Sequence, residues 1–416
     1  MADLVELKEI EERVLLVGVS MREDDDTRES LLELGELAQT AGAVAVGTLI
    51  QNREQIHPGT YIGKGKIEEL RDLADELEAT GVICDDELSP TQLRNLEQEL
   101  DLKVMDRTLI ILDIFAARAS TNEGKIQVEL AQLKYRLGRL VGLRSSLSRL
   151  GGGIGTRGPG EKKLEMDRRL VKDRITQLNR ELVEVKRHRE VTRAKRSKNR
   201  TPVAAIVGYT NAGKSTLLNT LTDAQVLEED KLFATLDPTT RILELSGGKQ
   251  ILLTDTVGFI RKLPHHLIDA FRSTLEEARY ADMILHMVDA SNPQMDTQMH
   301  VVYETLSELG VADKTIITLF NKQDRIECKE IMRDLKARQT LDISAKTGMG
   351  LEKLKGTLEK ILQERDILIE RIYPYDKAGL IQIIRRRGQL ITEEYQETGI
   401  YVKAYVPLEI YDNVTF

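Results

Sequence analysis

The sequence has few of the features that mark secreted or membrane proteins. Its 416 residues include two cysteines, Cys84 and Cys328, which lie far apart, without metal-ligand spacing or a nearby histidine. We therefore expect reduced, inert thiols. No apolar stretch approaches the ~18 residues of a membrane span, and the N-terminal residues are acidic where a signal peptide is basic. These absences predict a cytoplasmic protein with no membrane span.

The distribution of charge is more informative than the net charge of -8. The chain length suggests about two to four domains of a soluble, globular protein. Residues 1–133 carry a charge of roughly -16, whereas residues 134–200 carry roughly +14. This asymmetry predicts that a basic segment of an otherwise acidic protein faces a polyanion.

The first part of the chain alternates between apolar, strand-like segments and amphipathic, helix-like segments. Such alternation predicts a parallel sheet with helices on its faces. Residues 59–66 are rich in glycine and lysine, but their spacing differs from that of a nucleotide-binding loop. We interpret them as a charged turn before a helix. The predicted strands are 13–19, 43–50, 81–85 and 104–107, and the predicted helices are 30–38, 66–79 and one that begins at Ser89 and Pro90.

The pattern of residues 121–200 predicts a long antiparallel helical hairpin. Apolar residues recur at steps of three and four on both sides of the glycine-rich segment 151–160, which cannot remain helical. The second arm, at roughly 161–198, would extend on the order of 55 Å. A helix of this length projects as a probe and does not form a compact domain. The two apolar stripes are Ile126, Leu130, Leu133, Leu137, Leu140 and Leu147, and Val171, Ile175, Leu178, Leu182 and Val185.

Positive side chains cluster at the tip of this hairpin. Arg157 lies in the loop, and Lys162, Lys163, Arg168 and Arg169 follow in the second arm. Such a cluster suits RNA phosphates, and arginine also stacks on unpaired bases. The alternative is a solvated helix face, but too few acidic residues stand four positions away to neutralise the charge. We interpret the tip as an RNA-binding surface.

The clearest motif is G-x-x-x-x-G-K-S at residues 208–215, which follows an apolar run and precedes a helix-like segment. In this context the motif predicts a phosphate-binding loop, because backbone N–H groups and a helix N-terminus face the negative charge. Lys214 is predicted to reach the β- and γ-phosphates, and Ser215 to offer its hydroxyl to Mg²⁺. The other predicted nucleotide contacts in this loop are Gly208, Tyr209, Thr210, Asn211, Ala212, Gly213 and Thr216.

Two further loops are predicted to sense the γ-phosphate. Thr235 lies in a loop between a helix and a strand, where it can close over Mg²⁺. Asp255 and Gly258 end an apolar strand in the pattern D-x-x-G, so that Asp255 orients the magnesium shell and the Gly258 N–H contacts the γ-phosphate. We predict Lys214, Thr235 and Gly258 as catalytic residues, and Ser215 and Thr235 as metal ligands. The remaining predicted GTP contacts of the two loops are Phe233, Ala234, Leu236, Asp237, Thr256 and Val257.

The pattern N-K-x-D after another apolar strand predicts recognition of guanine. Asp324 can accept hydrogen bonds from the N1–H and the 2-amino group of guanine, which adenine cannot supply. A later S-A-K segment fits the loop whose backbone contacts the guanine oxygen. The predicted base contacts are Asn321, Lys322, Gln323 and Asp324, followed by Ser344, Ala345 and Lys346. The ordered set of motifs predicts a magnesium-dependent GTPase.

Phe259 occupies the position at which many small GTPases carry a water-orienting glutamine. An apolar ring cannot hold the attacking water, so we expect slow hydrolysis until a partner or another residue supplies this function. His265 and His266 follow closely, and each is either a catalytic candidate or an ordinary loop histidine.

The final residues carry the weakest signal. Strand-like segments at 367–373 and 401–406 flank a helix-like segment at 378–389, which predicts a small β-α-β unit. The sequence therefore predicts an α/β protein of four domains. They are an N-terminal parallel α/β domain (1–120), a basic helical hairpin (121–200), a P-loop GTPase domain (201–365) and a small C-terminal α+β appendage (366–416).

The motifs resemble those of the HflX family of bacterial GTPases. The likeness covers most of the chain and rests on residues 113–133, 151–161, 208–216, 233–239 and 255–260. It implies a GTPase that binds the large ribosomal subunit and its RNA, and that is monomeric away from the ribosome. It further implies that the hairpin loop lies near the peptidyl-transferase centre, and that the protein splits stalled or stressed ribosomes. Two alternatives stay open, namely a ribosome-assembly GTPase and an ATP-driven RNA remodeller that uses the N-terminal domain.

Overall fold

The computed structural model describes the backbone of residues 11–21, 26–150, 159–199, 201–222, 232–233, 236–246, 249–264, 277–311, 313–326, 332–364 and 366–415. Within these ranges, the side chains of residues 141–150, 159–164, 186, 188–199, 366, 389 and 407–409 are left out of the description. No helix in the described ranges is both long and apolar enough to cross a membrane.

The N-terminal domain is a four-stranded parallel sheet with strand order β2-β1-β3-β4. The predicted alternation of strands and helices is confirmed. Of residues 59–66, residues 59–63 form the turn before α2, and residues 64–66 are the first turn of that helix. The elements are β1 (Glu12–Ser20), α1 (Thr27–Thr40), β2 (Ala43–Asn52), α2 (Lys64–Glu76), β3 (Gly81–Cys84), α3 (Pro90–Leu100), β4 (Lys103–Asp106) and α4 (Arg107–Arg118).

The starts of α3 and α4 show how the sequence sets helix boundaries. Ser89 and Gln92 form a reciprocal capping box at the start of α3, with Pro90 in the first turn. The side chain of Asp106 caps α4 by accepting a hydrogen bond from the Leu109 N–H. The sequence pattern did not predict α4, because this helix is apolar on almost every side and shows no single stripe.

The two arms of the hairpin are α5 (Asn122–Leu150) and α6 (Pro159–Asn199). The apolar stripes meet where Ile126 and Leu130 pack against Leu178, and Arg174 binds Glu129 across the arms with two hydrogen bonds of 2.8 and 3.0 Å. A second face of α5 packs into the core of the N-terminal domain through Val128, Ala131 and Tyr135. The root of the hairpin is therefore part of the N-terminal core.

The following domain is a six-stranded sheet with strand order β10-β9-β8-β5-β7-β6, in which only β6 is antiparallel to its neighbour. The strands with predicted motifs at their ends therefore meet at one edge. The elements are β5 (Val203–Gly208), α7 (Lys214–Thr222), β6 (Thr239–Glu244), β7 (Gln250–Asp255), β8 (Met283–Asp289), α8 (Met295–Glu308), β9 (Thr315–Asn321), β10 (Gln339–Asp342) and α9 (Leu351–Gln363).

The C-terminal domain is a three-stranded antiparallel sheet with helices packed on one face. It is larger than the predicted β-α-β unit, since β12 and α11 are added. The pattern missed β12 because this edge strand is largely polar and pairs on one side only. The elements are β11 (Asp366–Tyr373), α10 (Ala378–Arg387), β12 (Gln389–Gln396), β13 (Gly399–Pro407) and α11 (Leu408–Val414).

A buried histidine lies beneath α8. His286 on β8 is 1% exposed, and neither ring nitrogen has a hydrogen-bond partner among the described residues. Its ring packs edge-on against Tyr303 at 5.1 Å. Burial lowers the pKa of His286 to about 4, although Asp334 acts in the opposite direction. The folded protein therefore holds this imidazole neutral at pH values where the unfolded chain protonates it.

We predict that His286→Leu reduces the acid sensitivity of folding. The folded pKa lies below the unfolded value near 6.5, so this residue removes about 2 kcal/mol of stability as the pH falls from 7 to 5. The free energy of unfolding in urea at the two pH values measures the loss. His300→Leu, an exposed position on α8, is the control. An unchanged loss in His286→Leu would show that another group is responsible.

Candidate nucleotide site

The phosphate-loop motif lies between β5 and α7, as the pattern requires. Lys214 is the first residue of α7, and its Nζ donates to the Tyr209 carbonyl at 2.8 Å. Burial lowers the pKa of Lys214 to about 8, with Asp255 opposing the shift. A bound triphosphate raises this pKa again, because negative charge favours the protonated amine. The Ser215 hydroxyl donates to the Asp255 carboxylate at 2.7 Å, which brings the two predicted magnesium-binding motifs together.

Asn321 joins three of the predicted motifs. Its side chain donates to the Ala212 carbonyl and accepts from the Ala345 N–H, both at 2.8 Å. Gly213 has a φ of +95°, and a Cβ at this position would collide with the Asn321 amide. The phosphate loop thus approaches the N-K-x-D segment as closely as a residue without a side chain permits.

The predicted base-reading residues form one cluster at the ends of β9 and β10. The Ser344 hydroxyl donates to Asp324 at 2.6 Å, and this hydrogen bond lowers the pKa of the exposed Asp324 carboxyl. Lys322 has a left-handed backbone conformation with a φ of 62°. Its Nζ lies 2.7 Å from a carboxylate oxygen of Asp289. Sequence reasoning missed Asp289, whose one signal is its position at the end of β8.

The D-x-x-G loop is held against the phosphate loop by backbone hydrogen bonds. The Thr210 N–H donates to the Phe259 carbonyl at 2.8 Å, and the Phe259 N–H donates to the Gly208 carbonyl at 3.1 Å. A Cβ on Gly258 would lie 2.8 Å from the Thr210 Cα and 2.9 Å from the Lys214 Nζ. The Phe259 ring is 2% exposed and packs into the core of the domain, so it holds no water.

The loop that carries the predicted Thr235 lies against the N-terminal domain. Ala234 and Thr235 are outside the described residues. Phe233 packs edge-on against Phe115 of α4, with a ring-centroid distance of 4.6 Å. The Asp237 carboxylate faces the start of the hairpin. The described side chains of this loop thus contact the N-terminal domain and the hairpin root, an arrangement that their motif did not indicate.

A network of charged side chains joins the D-x-x-G loop to the N-terminal sheet. Arg107 is 1% exposed. Its guanidinium donates to Asp85 at 3.0 Å, to Glu33 at 2.7 Å and to the Arg261 carbonyl at 3.2 Å. Burial opposes the charged form of Arg107, but Asp85 and Glu33 raise its pKa overall. Lys262 also binds Asp85, at 2.5 Å.

The phosphate loop itself belongs to this network. The Tyr209 hydroxyl accepts from the Arg261 N–H at 2.8 Å and donates to Glu33 of α1. Arg261 extends the network through an ion pair of 2.5 Å with Asp26. The phosphate loop and the residues that follow the D-x-x-G motif therefore both contact the N-terminal domain.

Three family models match consecutive parts of the chain. Residues 28–116 match the GTP-binding GTPase N-terminal model, and residues 118–196 match the GTP-binding GTPase middle region. Residues 203–322 match the 50S ribosome-binding GTPase model. The matches follow the order of the N-terminal domain, the hairpin and the nucleotide-site domain.

Relatives that match almost the whole chain show which family it belongs to. The GTPase HflX of Lacrimispora saccharolytica is 70% identical over 411 residues, which cover 99% of this chain and 97% of the relative. The GTPase HflX of Escherichia coli is 40% identical over 405 residues, which cover 96% of this chain and 94% of the relative. The chain belongs to the HflX family. It is therefore a GTPase.

A solved structure with some likeness is a GTP-binding protein from Sulfolobus solfataricus in complex with GDP. It is 26% identical, with a TM-score of 0.45 over 85% of this chain and 99% of that chain.

The predicted RNA-binding residues of this HflX chain are described only in part. Arg168 is partly buried and Arg169 is exposed on α6. Lys162 and Lys163 belong to the first turns of α6, but their side chains lie outside the description. Arg157, His265, His266 and Cys328 are outside the described residues.

We predict that Gly213→Ala disrupts nucleotide binding in this HflX protein. An added methyl group makes the existing φ of +95° unfavourable and displaces Asn321, which separates the phosphate loop from the base-reading loops. GDP affinity should fall at least about tenfold, and the free energy of unfolding by about 2 kcal/mol or more. Calorimetric titration and urea unfolding measure the two effects.

The matched control is Gly356→Ala on α9, where an added Cβ has no neighbour within 4 Å. This variant should bind GDP normally and be as stable as the parent or more stable. Equal GDP affinity in the two variants would contradict the close packing of Gly213 against Asn321.

Proposed function

We propose that this GTPase binds the large ribosomal subunit through its basic hairpin and, in its GTP form, splits stalled or stressed ribosomes in the cytoplasm. One observation carries the proposal, namely that the root of the hairpin contacts the loop that carries Thr235, through Asp237. The hairpin, whose tip suits RNA, is thus in direct contact with the loop that we propose senses GTP. The matched description, a 50S ribosome-binding GTPase, supports the same partner.

The roles proposed for the phosphate-binding residues follow from their chemistry. Lys214 and the Gly258 N–H stabilise negative charge on the γ-phosphate. The Ser215 hydroxyl and the Asp255 carboxylate lie 2.7 Å apart and fit a magnesium ion, because hard cations take oxygen ligands. We propose Ser215 and Thr235 as its protein ligands, with Asp255 orienting the shell. When bound, Mg²⁺ neutralises charge on the β- and γ-phosphates.

The proposed base contacts explain the choice of guanine over adenine. Asp324 accepts from two guanine N–H groups, while the backbone of residues 344–346 faces the guanine oxygen. The Ser344 hydroxyl fixes one oxygen of Asp324, at 2.6 Å, and leaves the rest of the carboxylate for the base. ATP is penalised because its adenine leaves this carboxylate without donors.

We predict that Asp324→Asn moves the preference from guanine toward xanthine. The 2-amino group of guanine needs an acceptor, whereas the 2-oxo group of xanthine needs a donor, which the asparagine amide provides. The loss of the guanine contacts should weaken GTP binding by about 2 kcal/mol, or roughly thirtyfold. Competition between GTP and XTP measures the ratio, and Asp342→Asn, exposed at the end of β10, is the control. An unchanged ratio in Asp324→Asn would remove Asp324 from base reading.

The N-terminal domain is poorly suited to the alternative role of binding ATP. Sheets with its strand order bind ligands at the carboxyl edge between β1 and β3. At that edge stand Asp85, Asp86 and Glu33, and Lys262 binds both aspartates. A triphosphate at this edge would meet carboxylates, which repel it. We therefore favour the two hypotheses in which the protein uses GTP and acts on ribosomes, namely splitting and assembly.

We predict that replacing Arg157, Lys162 and Lys163 by alanine weakens binding to the large subunit. Each lost phosphate contact should lower the slope of log affinity against log salt by somewhat under one unit. GTP binding by the isolated protein should stay unchanged, and ribosome-stimulated hydrolysis should fall with occupancy. A salt titration of subunit binding, with GTPase rates beside it, provides the measurement.

The control for this triple variant removes three exposed lysines outside the hairpin, Lys64, Lys353 and Lys360. It makes the same change in net charge and should leave the salt slope unchanged. If the hairpin variant keeps normal affinity, slope and stimulation, the tip is a solvated turn.

Sedimentation of intact ribosomes separates splitting from assembly. We expect the protein with a non-hydrolysable GTP analogue to convert intact ribosomes to subunits, and the protein with GDP to leave them intact. Binding to immature particles with no dissociation of intact ribosomes would instead favour an assembly GTPase.

A further inference from the structure

The loop that carries Thr235 is fixed on both sides by the rest of the molecule. Leu232, Phe233 and Leu236 are each at most 3% exposed and belong to the core of the N-terminal domain. Asp237 follows directly and contacts the hairpin root, and β6 begins two residues later at Thr239. The described residues of this segment, residues 232–237, are thus held by the N-terminal domain and the hairpin root.

Asp237 accepts four hydrogen bonds from two consecutive residues that precede α5. One oxygen accepts from the backbone N–H and the hydroxyl of Ser120, at 3.0 and 2.7 Å, and from the Thr121 N–H at 2.8 Å. The other accepts from the Thr121 hydroxyl at 2.5 Å. Four donors thus converge on the Asp237 carboxylate at the N-terminus of the hairpin, where the end of a helix favours negative charge.

The same two residues begin the hairpin helix. The Thr121 hydroxyl accepts from the Gly124 N–H at 3.0 Å, and the Thr121 carbonyl accepts from the Lys125 N–H at 3.0 Å. Thr121 is therefore both the N-cap of α5 and a donor to Asp237. Its position is fixed by the hairpin, and its hydrogen bonds fix the end of residues 232–237.

We infer that Ser120 and Thr121, which lie outside every GTPase motif of the chain, are positioning residues for GTP. The inference rests on the proposed function, in which the loop that carries Thr235 meets the γ-phosphate and its magnesium ion. Ser120 and Thr121 hold Asp237 at the end of that loop. In small GTPases the corresponding loop is ordered by the γ-phosphate itself and relaxes after hydrolysis. Here the hairpin root supplies part of that order before the nucleotide binds, and preorganisation increases affinity because less conformational entropy is lost.

The contact between Asp237 and the hairpin root should affect the binding of GTP and of GDP differently. In the proposed function this loop contacts the γ-phosphate. Holding Asp237 in place therefore favours the triphosphate form, whereas GDP has no γ-phosphate for the loop to contact. A purely structural role for Ser120 and Thr121 would instead change the binding of both nucleotides or of neither. The affinity ratio of a non-hydrolysable GTP analogue to GDP, measured on the full chain, is therefore the decisive quantity.

Gly124→Ala tests the contact without removing any group that makes it. An added Cβ would lie 2.6 Å from an Asp237 oxygen, so Asp237 must move away from Thr121. Alanine also favours the helix over glycine. We expect about tenfold weaker binding of the GTP analogue, unchanged GDP affinity, and stability equal to or above that of the parent.

Gly138→Ala in the same helix is the matched control, since a Cβ there has no neighbour within 4 Å. It should bind both nucleotides as the parent does. Equal GTP-analogue affinity in Gly124→Ala and Gly138→Ala would overturn the inference. An equal loss for GDP and the analogue in Gly124→Ala would overturn it as well.

Thr121 itself gives an independent test. Thr121→Val keeps the shape and removes the hydroxyl, and it should lower the analogue-to-GDP ratio about tenfold, whereas Thr121→Ser should restore the ratio. Ser89→Ala removes a comparable helix cap from α3, away from Asp237, and should leave the ratio unchanged. A normal ratio in Thr121→Val, or an equal drop in Ser89→Ala, would show that the contact serves only the stability of the hairpin.

Discussion

The arrangement of the domains depends on the burial of one guanidinium, that of Arg107. A charge at 1% exposure is strongly destabilising unless it is paired and hydrogen-bonded, so Asp85 and Glu33 must stand beside it. Arg107 also donates to the Arg261 carbonyl, next to the D-x-x-G loop. The requirement to satisfy this cation thus holds the GTPase domain against the N-terminal sheet.

A second attachment, at Asp237, completes this arrangement. The Arg107 network holds the D-x-x-G loop, and Ser120 and Thr121 hold the loop that carries Thr235. Both loops are expected to change on hydrolysis, and both are anchored within the unit formed by the N-terminal domain and the hairpin root. A rearrangement at the γ-phosphate must therefore either break these contacts or move the hairpin. The contacts give the proposed splitting activity a physical route from nucleotide to RNA.

The sequence predicted the parts of this molecule whose chemistry restricts spacing. A phosphate loop and a guanine-reading aspartate tolerate few arrangements, so their motifs, and the strands before them, are visible in the chain. The contacts between Asp237 and Thr121 or between Tyr209 and Glu33 join residues far apart in sequence. Such pairs leave no periodic signal in the sequence, because the residues next to each partner do not specify which distant residue it contacts. Helix α4 was missed for a related reason. Its apolar residues point in all directions, so they form no single stripe that would indicate a helix.

The central claim is that nucleotide state and hairpin binding are coupled through these contacts. It is tested most directly by the affinity of the protein for isolated large subunits, measured with a GTP analogue and with GDP at one salt concentration. We predict at least about fivefold tighter binding with the analogue than with GDP. By linkage, the ratio of analogue affinity to GDP affinity should be higher on the subunit than off it by the same factor. Equal subunit affinity in the two nucleotide forms would contradict the account.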